Sequence, residues 1–162
     1  PGRFLSGGYF KLPMPISEQI DRDDIESGRA FTLRWLRAGG LNYSRRTIRL
    51  LSHGRLAHML NHLTTTRPTW NGHNASGWAE DVRRANGFDQ RMRYGGEDRE
   101  LGERLENAGI RGKHVRHQTL CLHLDHSRGY VRESDLRRNR EIRDVTLRMG
   151  RTKTDHGIKQ AA

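Results

Sequence analysis

Two adjacent carboxylates follow a pair of glycines near the middle of the chain, in Tyr94-Gly95-Gly96-Glu97-Asp98. Apolar residues recur at helical spacing from Leu101 to Ala108, which predicts a helix over residues 98–108 that ends before Gly109. Glycines let the backbone approach a ligand closely, and the positive end of a helix keeps carboxylates ionised. An ionised carboxylate beside a glycine-lined ligand pocket can act as a general base toward a hydroxyl group. In the alternative interpretation, Asp98 only caps the helix, which stabilises it by about 1 kcal/mol.

A second candidate site combines aromatic and amide side chains around glycine turns, in residues 70–76 and then in Asn86-Gly87-Phe88-Asp89. Amides hydrogen-bond to hydroxyl groups and rings stack on the apolar face of a sugar. We therefore expect Trp70, Gly72 and Asn74 to contribute to a sugar-binding site. The alternative is a connection between a strand and a helix in which the Asn side chains only satisfy backbone groups.

A third cluster, residues 121–127, offers two imidazoles and a carboxylate to a divalent metal ion. The residue types alone indicate one metal ligand among positions 123–126 and do not select which imidazole it is. Residues three apart on a strand point to opposite faces, so both rings can reach one ion only where the chain bends.

The chain of 162 residues has a formal net charge of +11, and 26 of its 30 basic residues are Arg. This balance favours polyanionic partners: nucleic acid, an anionic membrane face or a diphosphate-bearing substrate. The basic residues are scattered and match no nucleic-acid reading motif, so a nucleic-acid partner is not favoured. Cys121 is the only cysteine, which excludes an intrachain disulfide and suggests a reducing, cytoplasmic location.

Periodicity and turn residues predict further elements. These are a strand over residues 3–10 that is interrupted by a Gly pair, a helix from Asp21 to Gly39, a basic amphipathic helix over 45–63, a strand over 69–75 that runs into a turn, a helix over 79–85, a strand over 117–124 and a helix over 133–149. The helix over 45–63 either packs by its leucine face or lies on an anionic membrane. The segment after Gly150 is polar and is predicted to be frayed.

Taken in order, these stretches resemble family 2 glycosyltransferases, in particular their C-terminal galactosyltransferase-like module. The family pattern is a Gly/Asn-rich strand, an "NGFD" step, an aromatic-Gly-Gly-Glu-Asp turn into a helix, and a strand that ends in a metal-binding His. Asn71–Ser76, Asn86–Asp89, Tyr94–Asp98 and His123–His126 match these steps.

The resemblance implies a role for each matching residue. Asp98 looks like the base that removes the acceptor hydroxyl proton, and Glu97 looks like the residue that fixes the acceptor sugar. Tyr94 stands where many relatives have Trp. His126 falls where β-1,4-galactosyltransferases place a Mn²⁺-ligating His, and His123 falls where they use a Met ligand.

The family's Asp-x-Asp motif and nucleotide-binding strands lie upstream of the matched region. Asp21-Arg22-Asp23 has the letters but begins a predicted helix. The resemblance therefore implies the C-terminal, acceptor-side half of a nucleotide-sugar transferase GT-A-type α/β fold, helix-rich with a few strands. The predicted domain covers residues 1–150 and is followed by a polar tail, 151–162.

The implied activity is inverting transfer from a nucleotide-sugar to a saccharide or glycolipid acceptor, assisted by Mn²⁺ or Mg²⁺. We expect this half to be inactive alone and to work in the cytoplasm, at the inner face of the cell membrane if its basic surface contacts anionic lipid. The rival interpretations are a basic nucleic-acid-binding module and a non-catalytic association fragment.

Overall fold

The computed structural model describes residues 2–42, 44 and 47–159. The chain divides into two compact units. Unit 1 comprises the chain up to Ser6, Thr66–His114 and the chain from Arg128 onward, and unit 2 comprises Gly7–Thr65 and Val115–Ser127. Both units combine helices with short strands, which confirms the predicted helix-rich α/β class.

The strands are β1 (Arg3–Ser6), β2 (Gly8–Lys11), β3 (Ala75–Ser76), β4 (Arg111–His114) and β5 (Leu120–His123). The helices are α1 (Met14–Gln19), α2 (Arg22–Glu26), α3 (Leu33–Ala38), α4 (Ile48–Leu51), α5 (Gly54–His62), α6 (Ala79–Arg84), α7 (Glu97–Asn107) and α8 (Glu133–Arg148), with a 3₁₀ turn at Arg29–Phe31. No helix in the described part of the chain is long and apolar enough to cross a bilayer.

Unit 1 is built on a three-stranded sheet with β1 in the centre. Strand β3 pairs antiparallel with one edge of β1, and β4 pairs parallel with the other. Leu101 and Leu105, one turn apart on α7, are fully buried together with Phe4 and Ile110. Each buried side chain of this size contributes about 1.5–3 kcal/mol, so the periodicity that predicted α7 also anchors it.

Unit 2 has its own two-stranded parallel sheet, β2 with β5. Its core gathers buried apolar side chains from β2 and from the helices that follow it. They are Phe10, Leu12, Ile16, Leu36, Leu41 and Leu50.

The single helix predicted from Asp21 to Gly39 is wrong, because the structure has two short helices there. Asp21 accepts a hydrogen bond from the Asp24 amide at 2.8 Å and caps α2. Gly28 then adopts a φ of +75°, which ends the helix, and Thr32 caps α3 through the amide of Trp35.

The helix predicted over residues 45–63 is interrupted at Ser52 and His53, between α4 and α5. Arg45 and Arg46 lie outside the described residues. The packed leucine face expected for this segment is wrong. Ala57 and Asn61 form the buried side of α5, whereas the larger apolar side chains face solvent.

The segment after Gly150 is not frayed over residues 151–159, because it packs within unit 1. Thr154 is buried, and its amide donates to the Ala85 carbonyl at 3.3 Å. The Ile158 amide donates to the Asn86 carbonyl at 2.9 Å. The functional domain predicted over residues 1–150 stays a prediction.

Candidate functional site

Helix α7 begins after two glycines that both have left-handed backbone angles, φ +107° at Gly95 and +94° at Gly96. Glycine adopts this region without the penalty that a side chain imposes. Gly96 is the residue that caps the helix, and Asp98 is the second residue inside it. The interpretation of Asp98 as the helix cap is therefore wrong.

The Asp98 carboxylate is half-buried and is held by two backbone amides. Its Oδ2 accepts from the Gly72 amide at 2.8 Å, and its Oδ1 accepts from the Arg99 amide at 2.7 Å. A carboxylate oxygen has two lone pairs, so each oxygen has acceptor capacity beyond its amide contact. Asp98 is thus oriented from two sides while it can still accept a proton.

Glu97 turns back over the same loop, and its Oε2 accepts from the Gly95 amide at 2.7 Å. This contact closes the turn that precedes α7. The acceptor-fixing role of Glu97 stays a prediction, alongside this observed role in the turn.

Helix α8 fills the space beside the two glycines. A Cβ on Gly95 would lie 2.4 Å from Cδ2 of Leu136, and one on Gly96 would lie 3.2 Å from Cδ of Arg143. A side chain at position 95 would displace Leu136, and one at position 96 would make a tight contact with Arg143, so the left-handed backbone angles are the main reason for glycine at both positions. Contact of Gly95 and Gly96 with a substrate stays a prediction.

Asn139 of α8 holds the turn from behind, and the sequence analysis missed it. It is 1% exposed, and its Nδ2 lies 2.9, 3.2 and 3.0 Å from the carbonyl oxygens of Arg93, Tyr94 and Gly95. The available signal was a polar residue three positions after Leu136 on the inward side of a predicted helix.

Two tyrosines lie together beside the turn. The rings of Tyr94 and Tyr130 are 5.0 Å apart and nearly perpendicular, and the Tyr94 hydroxyl accepts from Arg128 at 3.0 Å. Both rings are partly exposed. Tyr94 was predicted as a site residue, whereas Tyr130 and Arg128 were not.

The loop that supplies the Gly72 amide is stabilised by Asn71. The Asn71 Oδ1 accepts from the Asn74 amide at 2.7 Å, and its Nδ2 donates to the Ser6 hydroxyl at 3.4 Å. Trp70 packs against Phe4 in the core of unit 1, with ring centroids 5.6 Å apart. Sugar contacts of Trp70, Gly72 and Asn74 stay predictions.

The Asn86–Asp89 loop is closed by contacts within unit 1. The Asn86 Nδ2 donates to the carbonyls of Thr154 and Lys159, each at 2.8 Å. Burial by itself would raise the pKa of Asp89, but hydrogen bonds from Arg91 and Thr154 outweigh it and lower that pKa to about 2.

The predicted metal ligands His123 and His126 lie in unit 2, whereas Asp98 lies in unit 1. Strand β5 ends at His123, and the two imidazole centroids are 5.7 Å apart. The His126 Nδ1 lies 2.9 Å from the Ser127 carbonyl oxygen, which can only accept, so Nδ1 is the donor in this contact. A His ligand is commonly held in this way.

The neighbouring carboxylate does not complete a metal site, since Asp125 is paired with Lys11 at 2.8 Å. Across the described residues no three His, Cys, Asp or Glu side chains form a metal-binding group. The described residues therefore bring two imidazoles close together without completing a metal site. Burial raises the pKa of the nearby Cys121 thiol, which disfavours the thiolate form as a ligand.

Unit 1 also contains a cleft of 710 Å³ whose lining includes Trp78, Glu80, Arg84 and Leu105. A second cleft of 480 Å³ lies beside Arg83, Ile158 and Lys159. Among the described residues, neither lining includes the Tyr94–Asp98 turn, so the candidate carboxylates stand outside both clefts.

Comparison with known families supports the galactosyltransferase resemblance over part of the chain. Residues 54–127 match the model of a family described as the N-terminal domain of galactosyltransferase. This stretch of the chain is galactosyltransferase-like. The matched stretch includes the Gly72 loop, the start of α7 and both candidate metal ligands of this galactosyltransferase-like domain.

The family description names an N-terminal domain, whereas the sequence resembles a C-terminal module; both indicate a galactosyltransferase-like domain. A galactosyltransferase-like domain indicates glycosyl transfer in general, with a nucleotide-sugar donor and an acceptor as the ligands of that reaction. No curated protein and no solved structure matches the chain.

Proposed function

We propose that this galactosyltransferase-like domain is the acceptor side of an inverting, family 2-like transferase in which Asp98 is the general base. The observation that carries the proposal is the half-buried Asp98 carboxylate, oriented by the amides of Gly72 and Arg99 with lone pairs to spare. A base needs this combination of fixed direction and remaining acceptor capacity.

In the proposed reaction, an acceptor hydroxyl gives its proton to the Asp98 carboxylate. The acceptor oxygen forms a bond to the anomeric carbon of the nucleotide-sugar. The bond from that carbon to the diphosphate oxygen breaks, and the nucleoside diphosphate leaves with the bonding electrons. One in-line displacement inverts the anomeric configuration, so a single base suffices.

We propose a saccharide or glycolipid as the acceptor. Partly exposed aromatic rings at Tyr94 and Tyr130 can stack on the apolar face of a sugar. The Glu97 carboxylate, also half-buried, can accept from a sugar hydroxyl beyond its contact with the Gly95 amide.

A divalent ion, Mn²⁺ or Mg²⁺, belongs to the proposal through His126 and, second, His123. A bound ion would neutralise the diphosphate leaving group. The backbone contact of His126 Nδ1 supports Nε2 as its ligating atom. The resemblance assigns the remaining ligands to an Asp-x-Asp motif, which the matched stretch does not carry.

The test is Asp98→Asn in the full-length protein, assayed with UDP-galactose, other UDP-sugars and Mn²⁺. We expect turnover to fall by about 10²–10⁴-fold, because an amide cannot accept the proton. The variant also loses one acceptor for a backbone amide, so unfolding should become easier by about 1 kcal/mol. Turnover and thermal melting are measured on the same preparation.

The matched control is Asp81→Asn, which changes an acidic residue in the first turn of α6. This variant should keep its turnover. A folded Asp98→Asn protein that retains most of its activity would remove Asp98 from the chemistry. A product of retained anomeric configuration, seen by NMR, would exclude the single displacement.

A further inference from the structure

Helix α5 carries an apolar stripe on its solvent side. Leu56, Met59 and Leu63 are 47%, 51% and 66% exposed. Their spacing of three and four residues aligns them on one face of the helix and its C-cap. The stripe is therefore continuous and open to solvent.

The inward side of α5 has the opposite chemistry. Ala57 and Asn61 are buried there, and Asn61 donates to Gln118 at 3.0 Å and accepts from the His117 amide at 3.0 Å. This polar anchoring fixes the orientation of the helix within unit 2. The leucines consequently face outward because the small and amide side chains are held inward.

The stripe lies in a segment that has no negative charge. Between Glu26 and Glu80 the sequence has no Asp or Glu, while it has eight Arg. Arg55 is exposed on α5 beside the stripe, as are His58 and His62. An exposed apolar stripe bordered by basic side chains is the composition of helices that lie in a membrane interface.

We propose that the α5 stripe docks unit 2 on an anionic phospholipid surface. Leu56, Met59 and Leu63 enter the boundary between headgroups and acyl chains, and Arg55 lies among the anionic headgroups. Pairing of this face with a second copy would bring two acid-free, Arg-bearing segments together, which their like charges oppose. A negatively charged bilayer meets both features of the face, its apolar stripe and its charge.

The experiment is co-sedimentation of the full-length protein with two kinds of vesicle, phosphatidylcholine alone and phosphatidylcholine mixed with phosphatidylglycerol. We expect binding to the mixed vesicles only, weakened by salt. Leu56→Gln with Met59→Gln should reduce the partition coefficient by about tenfold or more, because the apolar insertion is lost. Arg55→Gln should reduce it by about fivefold.

The matched control is Leu147→Gln with Met149→Gln at the end of α8, where the same two residue types are 51% and 70% exposed. This control should bind the mixed vesicles as the unchanged protein does. All four side chains are exposed, so both double variants should melt at the unchanged temperature.

Three results would overturn the proposal. The first is no binding to the mixed vesicles. The second is equal binding to both kinds of vesicle, or equal losses in the two double variants, which would remove the charge or the stripe from the interaction. The third is a dimer, seen by sedimentation, that the α5 variant abolishes while vesicle binding persists, which would assign the stripe to a second copy of the chain.

Discussion

Two aspartates on successive connections of unit 1 have opposite surroundings. Asp89, in the Asn86–Asp89 loop, is 2% exposed. It accepts from the Arg91 amide and guanidinium at 2.7–3.0 Å and from the Thr154 hydroxyl at 2.7 Å. Asp98, at the start of α7, is half-buried and is held by two backbone amides.

The difference suggests a structural role for Asp89 and a chemical role for Asp98, although both belong to the same set of motifs. A carboxylate with a pKa of about 2, like that of Asp89, is a weak base, and its lone pairs are already used by donors. The Asp98 carboxylate is oriented by two amides, and each of its oxygens has acceptor capacity left. Both residues belong to steps of the same family pattern, yet we infer that the first step stabilises the fold and the second is available to a substrate.

Arg104 provides the strongest test of the inference that the Asn86–Asp89 loop stabilises the fold. It is fully buried, pairs with Glu100 at 2.7 Å and donates to the carbonyls of Ala85 and Gly87. Arg104→Met leaves the buried Glu100 without its cation, so the free energy of unfolding should fall by about 3–5 kcal/mol. Urea unfolding measures this.

The control for that prediction is Arg99→Met, an exposed arginine on the same helix. Its free energy of unfolding should stay within about 0.5 kcal/mol of the unchanged protein. Similar small losses for both variants would show that the buried pair does not link α7 to the Asn86–Asp89 loop.

Asp89→Asn tests the same loop through pH. The pKa of Asp89 is lowered from 3.8 to about 2 on folding, so its ionised form stabilises the protein by about 2 kcal/mol above pH 4. That contribution is lost as the pH falls from about 4 to about 2, since the depressed folded pKa is the lower bound of the window. The free energies of unfolding of the unchanged protein and of Asp89→Asn should therefore differ by about 2 kcal/mol at pH 6. The two values should converge near pH 2.

A difference between the two proteins that is constant from pH 6 to pH 2 would contradict this account. It would mean that the Asn substitution acts through packing and not through the charge of Asp89.

Much of unit 1 could be predicted because local patterns and tertiary contacts agree there. Leu101 and Leu105 recur one turn apart and are both buried, and the two glycines before Glu97 do precede a helix. The pattern over residues 133–149 likewise gave α8. In α7 the same apolar side chains set the periodicity and form the core, whereas the buried residues of α8 are the polar Asn139 and Thr146.

Prediction failed where pairing is decided by distant residues. Strand β4, Arg111–His114, has almost no apolar content, and its strand conformation comes from pairing with β1. On α5 the periodicity was visible, but it could not tell which face is buried, because Asn61 is anchored by residues far along the chain. Of the strand predicted over residues 69–75, only the end is observed, as the start of β3. The Asn71 side chain accepts from the Asn74 amide and folds the residues just before β3 into a turn.

Asn139 shows the same limit at the candidate site, and it permits the finest test of the comparison. Its Nδ2, which has two hydrogens, lies within hydrogen-bond distance of three carbonyls of the turn before Asp98. Asn107, on α7, also donates to two carbonyls, of Thr146 and Arg151, but at the other end of the helix. The two asparagines therefore make similar contacts at different distances from the candidate base.

Asn139→Ala should lower the free energy of unfolding by about 1–2 kcal/mol, because buried backbone carbonyls lose a donor, and Asn107→Ala by about 0.5–1 kcal/mol, because Asn107 is exposed. Only Asn139→Ala should also lower kcat, by about tenfold with little change in KM, since a shifted turn misplaces the Asp98 carboxylate relative to the acceptor hydroxyl. Both variants are assayed well below their melting temperatures, so that partial unfolding does not mimic the effect. If kcat falls equally in both, Asn139 acts through stability alone; if it falls in neither, the turn positions Asp98 without α8.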